Sequence, residues 1–156
     1  MRGDEKVIEQ LNTALCGELN AIVQYMVQAE TCQNWGYDRL AGLTKARAIE
    51  EMHHAEALIE RIVFLDAAPE VNIPLKPTIG ADVTKQLEAG LTDETNAIRE
   101  YNDASAICRE AGDNGSRELF ERLLHDEERH VDFLEAQLTA IKQMGIGPYL
   151  AEQMKK

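Results

Sequence analysis

Two sets of metal-binding residue types recur in this chain at a fixed offset. The first is Glu18 followed by Glu51-Met52-His53-His54, and the second is Glu94 followed by Glu127-Glu128-Arg129-His130. Glu18 to Glu94, Glu51 to Glu127 and His54 to His130 are each 76 positions apart. In Glu-x-x-His the two side chains are separated by almost one helical turn, so carboxylate and imidazole meet on one side of a helix. One copy supplies two carboxylates and one imidazole. Two copies face to face supply four and two, a mixture of hard oxygen and imidazole that suits a pair of iron(II) or manganese(II) ions, and zinc too.

The repeat continues between these residues. At the same offset Asn20 matches Asn96, Ala21 matches Ala97, Ile22 matches Ile98, Tyr25 matches Tyr101, Cys32 matches Cys108 and Gly36 matches Gly112. The period is too long for a solenoid unit and fits a duplicated helical hairpin. Apolar spacing predicts a first helix from Asp4 to Trp35 through Val7, Leu11, Leu15, Ile22, Tyr25 and Ala29, with Asp4 as cap and Gly36 at its end. A second runs from Asp38 to Asp66 through Leu43, Ala48, Ala55, Leu58, Ile62 and Leu65. A third runs from Asp82 to Ala111 through Val83, Leu87, Leu91, Ile98, Tyr101 and Cys108. A fourth follows Gly112-Asp113-Asn114-Gly115, with Ser116 as its cap, and passes through Leu119, Leu123, Val131, Leu134 and Leu138 to Met144. A short fifth segment spans Pro148 to Lys156, proline suiting the first turn.

The connections set the topology. Helices one and two, and three and four, are joined by short turns, which make antiparallel neighbours. Between helices two and three lie Ala67 to Gly80, with Pro69, Pro74 and Pro77, an extended stretch. At about 3.3 Å per residue it can run roughly 46 Å, the length of such a bundle. The expectation is one all-α domain over residues 1–156: an antiparallel four-helix bundle with one long crossover and a short C-terminal fifth helix. Aromatic residues at 5% and few glycines and prolines agree, since sandwiches and barrels use more of them.

On those helices Glu18, Glu94, Glu51 and Glu127 each fall in the apolar register. Buried glutamates need a partner charge. No Lys or Arg falls at those registers, whereas two divalent cations would balance four carboxylates. The net charge of −12 argues against a nucleic-acid partner. Three cysteines without a Cys-x-x-Cys argue against a disulfide framework, a zinc site or an iron–sulfur site. Neither a signal core nor a membrane-length apolar run is present, so the expected compartment is the cytoplasm, with no membrane partner.

The chain resembles the bacterioferritins over nearly its whole length. The likeness includes Met1-Arg-Gly-Asp, Asn34-Trp35-Gly36, Glu51-Met52, Asp126-Glu127-Glu128 and the tail from Met144-Gly145 to Tyr149-Leu150. A Glu from each of two helices and a Glu-x-x-His from each of the others is the established ligand set of ferritin-like di-iron proteins. By that resemblance Glu18 and His54 would serve one iron, Glu94 and His130 the other, and Glu51 and Glu127 would bridge. It implies a ferroxidase that oxidises Fe(II) with O2 or H2O2 and stores ferric mineral in a 24-subunit shell built of dimers. It also implies haem b shared between two subunits, with Met52 as an axial ligand, and a small ferredoxin as partner in iron release. Met52 is about 100° around the helix from Glu51 and can face a partner while Glu51 faces inward. A di-iron oxidase or peroxidase that stores no iron is the alternative reading.

Some positions depart from well-known members of that family. Leu58 and Phe133 stand where some carry Tyr and Trp near the metals, which leaves Tyr25 as the aromatic candidate for electron delivery. Ala46 and Glu50 stand where some carry the His and Asp of an inner-surface iron site. Lys45 and Arg47 add positive charge where some are neutral or acidic, and Lys45 or His53 is placed to meet a haem propionate or to lie in solvent. Glu50 and Asp126, each four residues before a histidine of the set, can accept an imidazole N–H or belong to a charged helix surface.

Overall fold

The computed structural model describes residues 1–155. The chain forms α1 (Glu5–Asn34), α2 (Asp38–Phe64), α3 (Val83–Glu110), α4 (Asn114–Met144) and α5 (Ile146–Gln153). Lys156, included above in the fifth segment, lies outside the described residues. Among those residues no helix is long and apolar enough to cross a membrane.

Local chemistry sets the boundaries. Asp4 caps α1 by accepting from the backbone N–H of Lys6 at 2.8 Å and Val7 at 3.2 Å. Gly36 and Gly112 end α1 and α3 in the left-handed region, at φ 87° and 72°. In both turns the N–H two residues past the cap returns to the third-last helical carbonyl, Tyr37 to Cys32 and Asp113 to Cys108, each at 2.9 Å. The repeat thus reproduces a turn as well as its flanking helices. The cap of α4 is not Ser116 but Asp113, three residues earlier. Asp113 accepts from Ser116 N at 2.9 Å and Ser116 Oγ at 2.7 Å, and Ser116 lies buried in the first turn. The fifth helix begins at Ile146, two residues before the expected Pro148, and ends at Gln153.

Each hairpin packs mainly on itself, α1 with α2 and α3 with α4, and the hairpins meet chiefly through α1 and α3. The crossover runs along α1. Glu70, Lys76 and Thr78 donate their backbone N–H groups to Asn12 Oδ1, Asn20 Oδ1 and Gln24 Oε1 at 2.8, 2.8 and 2.9 Å. Rising numbers pair with rising numbers, so the strap climbs parallel to α1 and delivers the start of α3 to the far end of the bundle. That is why Asn12 and Gln24 are buried on an otherwise apolar face. Arg61 of α2 fastens the other end to the second hairpin, at 2.8 Å to Asp113 and 2.9 Å to Ser116 Oγ.

The core is two apolar plugs with a polar layer between. One plug gathers Val7, Leu11, Leu15, Leu58, Ile62 and Phe120 among others, and the second gathers Cys32, Leu40, Val83, Leu87, Leu134 and Tyr149. On every long helix the sequence between the two plugs holds one or two of the six repeated Glu and His residues. Leu43, expected on the apolar face of α2, is instead exposed.

Candidate metal centre

The six residues reach the middle layer from all four long helices: Glu18 from α1, Glu51 and His54 from α2, Glu94 from α3, Glu127 and His130 from α4. All six are buried, with His130 at 0% and Glu51 and Glu127 at 1% exposure. They form two overlapping clusters, Glu18–Glu51–His54–Glu127 and Glu51–Glu94–Glu127–His130, with ligand atoms within 4.8 Å of one another in each. Glu51 and Glu127 belong to both. His54 Nδ1 lies 3.4 Å from Glu18, 3.2 Å from Glu51 and 3.2 Å from Glu127. His130 Nδ1 lies 3.3 Å from Glu51, 3.6 Å from Glu94 and 3.5 Å from Glu127. The two imidazole rings stack at 6.2 Å with a 20° tilt.

Several of these inward atoms have no hydrogen-bond partner: Glu18 Oε2, Glu51 Oε1, both Glu127 oxygens and His130 Nδ1. Orphaned buried acceptors of this kind are costly, and clustered around one point they fit divalent cations. A cavity of about 210 Å³ between α1 and α3 touches all four carboxylates and reaches Lys76 and Thr78 of the strap, leaving room for ions and water.

Without a cation, protons must supply the positive charge. Burial pushes the Glu18 carboxyl far above its ordinary range, and the neighbouring Glu51 charge pushes it further. Burial would raise Glu51 as well, but the neighbouring Glu18 carboxyl and the imidazoles of His130 and His54 hold it far below the usual carboxylate range. Burial opposes charge on both imidazoles, yet their carboxylate partners win. His54 is driven well above the usual histidine range by Glu127, Glu18 and Glu51, and His130 is raised to about 9 by Glu127 and Glu51. Metal would displace these protons, because a ligating imidazole nitrogen must be free.

The outer nitrogens are held by crossed partners. His54 Nε2 lies 2.9 Å from Asp126, and His130 Nε2 lies 2.7 Å from Glu50. Each carboxylate therefore serves the histidine of the other hairpin, not the one four residues along its own helix. Arg129 links the two, at 3.2 Å from Glu50 and 3.1 Å from Asp126. Both carboxyls, although partly desolvated, are held below their ordinary values by these partners. An acceptor at Nε2 fixes the tautomer that turns Nδ1 inward.

Two participants were not legible as site residues. Tyr25 donates to Glu94 Oε1 at 2.8 Å, and Tyr101, its repeat partner, donates to Glu18 Oε1 in the same manner. The 76-residue offset that paired them could have flagged Tyr101. The second is Arg47, which corrects the expectation that no Lys or Arg falls at the registers of the four glutamates: it lies four residues before Glu51, and its Nη1 is 3.8 Å from Glu94. Lys45 and Ala46 are exposed and away from the six ligands, and exposed His53 pairs with Glu56 at 3.3 Å. Leu58 sits fully buried in the first plug.

Met52 faces away from the centre and is 43% exposed, as is Ile49 one turn earlier at 46%. Met52 thus presents an accessible thioether beside Ile49 on the outward face of α2.

The ferritin-like domain family matches residues 8–144. The chain is 44% identical to Bacterioferritin of Brucella melitensis biotype 1, covering 93% of this chain and 90% of that protein. It is 42% identical to Bacterioferritin of Rhodobacter capsulatus, with the same coverage of both. It is 38% identical to Bacterioferritin of Mycolicibacterium paratuberculosis, covering 97% of this chain and 96% of that protein.

Proposed function

The chain belongs to the bacterioferritins of the ferritin-like domain family, and we propose that it stores iron by oxidising Fe(II) in pairs at the six-residue centre and depositing ferric mineral inside a shell of its own copies. One observation carries the reading: two four-residue clusters overlap at Glu51 and Glu127, with unpartnered buried oxygens directed into both.

In this reading iron is the substrate. Glu18 and His54 hold one ion, Glu94 and His130 the other, and the bridging Glu51 and Glu127 keep the pair close enough to act together. Each Fe(II) gives one electron, so a pair reduces O2 to H2O2, or H2O2 to water, in one two-electron event. Asp126 and Glu50 keep the Nε2 proton on each imidazole, so Nδ1 stays free for metal. Protons leave Glu18 and both imidazoles as iron enters, which keeps the buried layer near neutrality. Tyr25 and Tyr101 orient Glu94 and Glu18, and Tyr25 is the proposed aromatic donor of a further electron.

The assembly belongs to the same proposal: 24 chains built of dimers, in the cytoplasm, with a small ferredoxin delivering electrons for release. Haem b, when bound, supplies an electron relay between inside and outside, and Met52 from each of two chains would hold it. Met52→Leu is expected to abolish haem binding while leaving the shell assembled. Haem with two thioether ligands in that variant would rule out the assignment.

The deciding experiment is an anaerobic Fe(II) titration of the metal-free assembly, followed by oxygen, with mineral growth tracked as iron is added. Saturation near two ions per chain and then continued oxidation into a soluble core supports storage. Oxidation that stops at two ions, with iron precipitating outside, points to a non-storing di-iron oxidase or peroxidase.

A further inference from the structure

The two halves of the centre have the same ligands but unequal charge around them. In the half formed by Glu94 and His130, the Arg47 guanidinium lies 3.8 Å from Glu94, and its side chain is only 12% exposed. It is held between two rings, 5.9 Å from the centroid of Tyr25 and 5.7 Å from that of Phe133. That stacking keeps it in place when Glu94 turns toward a metal. In the half formed by Glu18 and His54, the position equivalent to Arg47 is Leu123, buried in the first plug. The equivalent of Phe133 is Ala57. Among the described residues, Glu18 has no ion-pair partner other than His54.

We propose that Arg47 makes the two metal positions unequal, so that the Glu18/His54 half fills first and the Glu94/His130 half is the weaker, second site. The inference rests on the six-ligand reading above and deepens it. Two effects act in the same direction. Arg47 holds Glu94, so a metal must compete with a fixed cation for that carboxylate. Arg47 also repels the metal itself. With Nη1 at 3.8 Å from Glu94 and a metal–oxygen bond of about 2 Å, the two cations approach to about 6 Å. A metal in the other half, about 4 Å farther away, is repelled less, so the difference between the halves is about twofold at the permittivity of water and tenfold or more at the effective permittivity near 20 of a protein site. Oxidation needs both ions, so Arg47 sets the iron(II) concentration at which a reactive pair forms.

Cobalt(II), which air does not oxidise readily with these ligands, is the probe. The metal-free assembly is loaded with one cobalt per chain and crystallised, and anomalous scattering reads the occupancy of each half. A parallel titration in solution follows the visible cobalt absorption. In the native protein the first cobalt is expected in the Glu18/His54 half by about tenfold. Arg47→Met is expected to bring the two occupancies close to equal and to raise the second-step affinity about tenfold. Arg47→Lys, which keeps the charge but loses the stacking, should retain a preference for the first half. Equal occupancy in the native protein overturns the proposal without any variant, and so does a preference that survives Arg47→Met. Cobalt absent from both halves would take the six-ligand reading down as well, whereas equal filling of both leaves that reading standing.

Discussion

Around Glu18 and His54 the structure places Tyr101, the ring of Phe120 5.7 Å behind it, and the buried Leu123. Around Glu94 and His130 it places Tyr25, Arg47 and Phe133. One duplicated hairpin produced both halves, and the ligands, the tyrosine donors and the crossed carboxylates have stayed equivalent at one offset. What has diverged is the packing just outside. A half-buried guanidinium against one half, with an apolar side chain at the corresponding place in the other, changes the electrostatics without replacing any of the six residues. In the proposed reading the six Glu and His residues select the ions, and the neighbouring residues set how evenly the two positions hold them.

Removing a residue that both halves share should have the largest effect. Glu127→Ala takes a ligand from both clusters and is expected to slow rapid Fe(II) oxidation by more than about a hundredfold, read by stopped-flow absorbance. Glu18→Ala and Glu94→Ala should each empty one half only, leaving one cobalt bound per chain. If Glu127→Ala still binds two metals with unchanged oxidation, the bridging role is wrong.

The crossed carboxylates give a sharper test. Asp126→Asn should weaken metal binding about ten- to a hundredfold at the His54 half, although Asp126 is on the helix of His130, and Glu50→Gln should do the same at the His130 half. Half-resolved cobalt occupancy checks both. Loss in the half nearest in sequence would contradict the crossed pairing.

The pH dependence follows from His130. Its pKa is raised to about 9 in the folded, metal-free chain, against an ordinary value near 6.5. A raised value means the charged imidazole stabilises the metal-free fold below pH about 6.5, and this contribution fades as pH rises toward about 9. Thermal unfolding of the metal-free chain should therefore show a falling midpoint across that window, while metal affinity rises across it. The slope should become shallower in His130→Gln, with His54 and Glu18, both also raised in the metal-free fold, carrying what remains.

The smallest expected effects are those of the tyrosines. Tyr101→Phe removes the hydroxyl donor to Glu18 and is expected to cost about 1 kcal/mol of stability in the metal-free chain. Tyr25→Phe should cost less, because Arg47 still faces Glu94. Denaturant unfolding of the two variants compares the halves directly, and equal losses would mean that Arg47 does not support Glu94.

Read alone, the sequence already contained the fold class, the four long helices and the six Glu and His residues that meet in the middle layer. Helical periodicity records which face is inward, and the 76-residue repeat tells which glutamates share a role. The first signal is local, carried by i to i+3 and i+4 spacing, and the second is a comparison of the chain with itself; neither needs the helices to be docked. The long proline-bearing connection also required a crossover, since its reach matches the bundle length. That Asp126 serves His54 and Glu50 serves His130 follows from how the two hairpins dock, since these partners are 72 and 80 residues apart. The tertiary structure likewise decided that Asp113 and not Ser116 caps α4, a matter of which side chain can turn back onto the first N–H groups. Arg47 is the clearest case. In sequence it is a charged residue on a helix with an exposed face, and only the two aromatic rings contributed by α1 and α4 turn it inward toward Glu94.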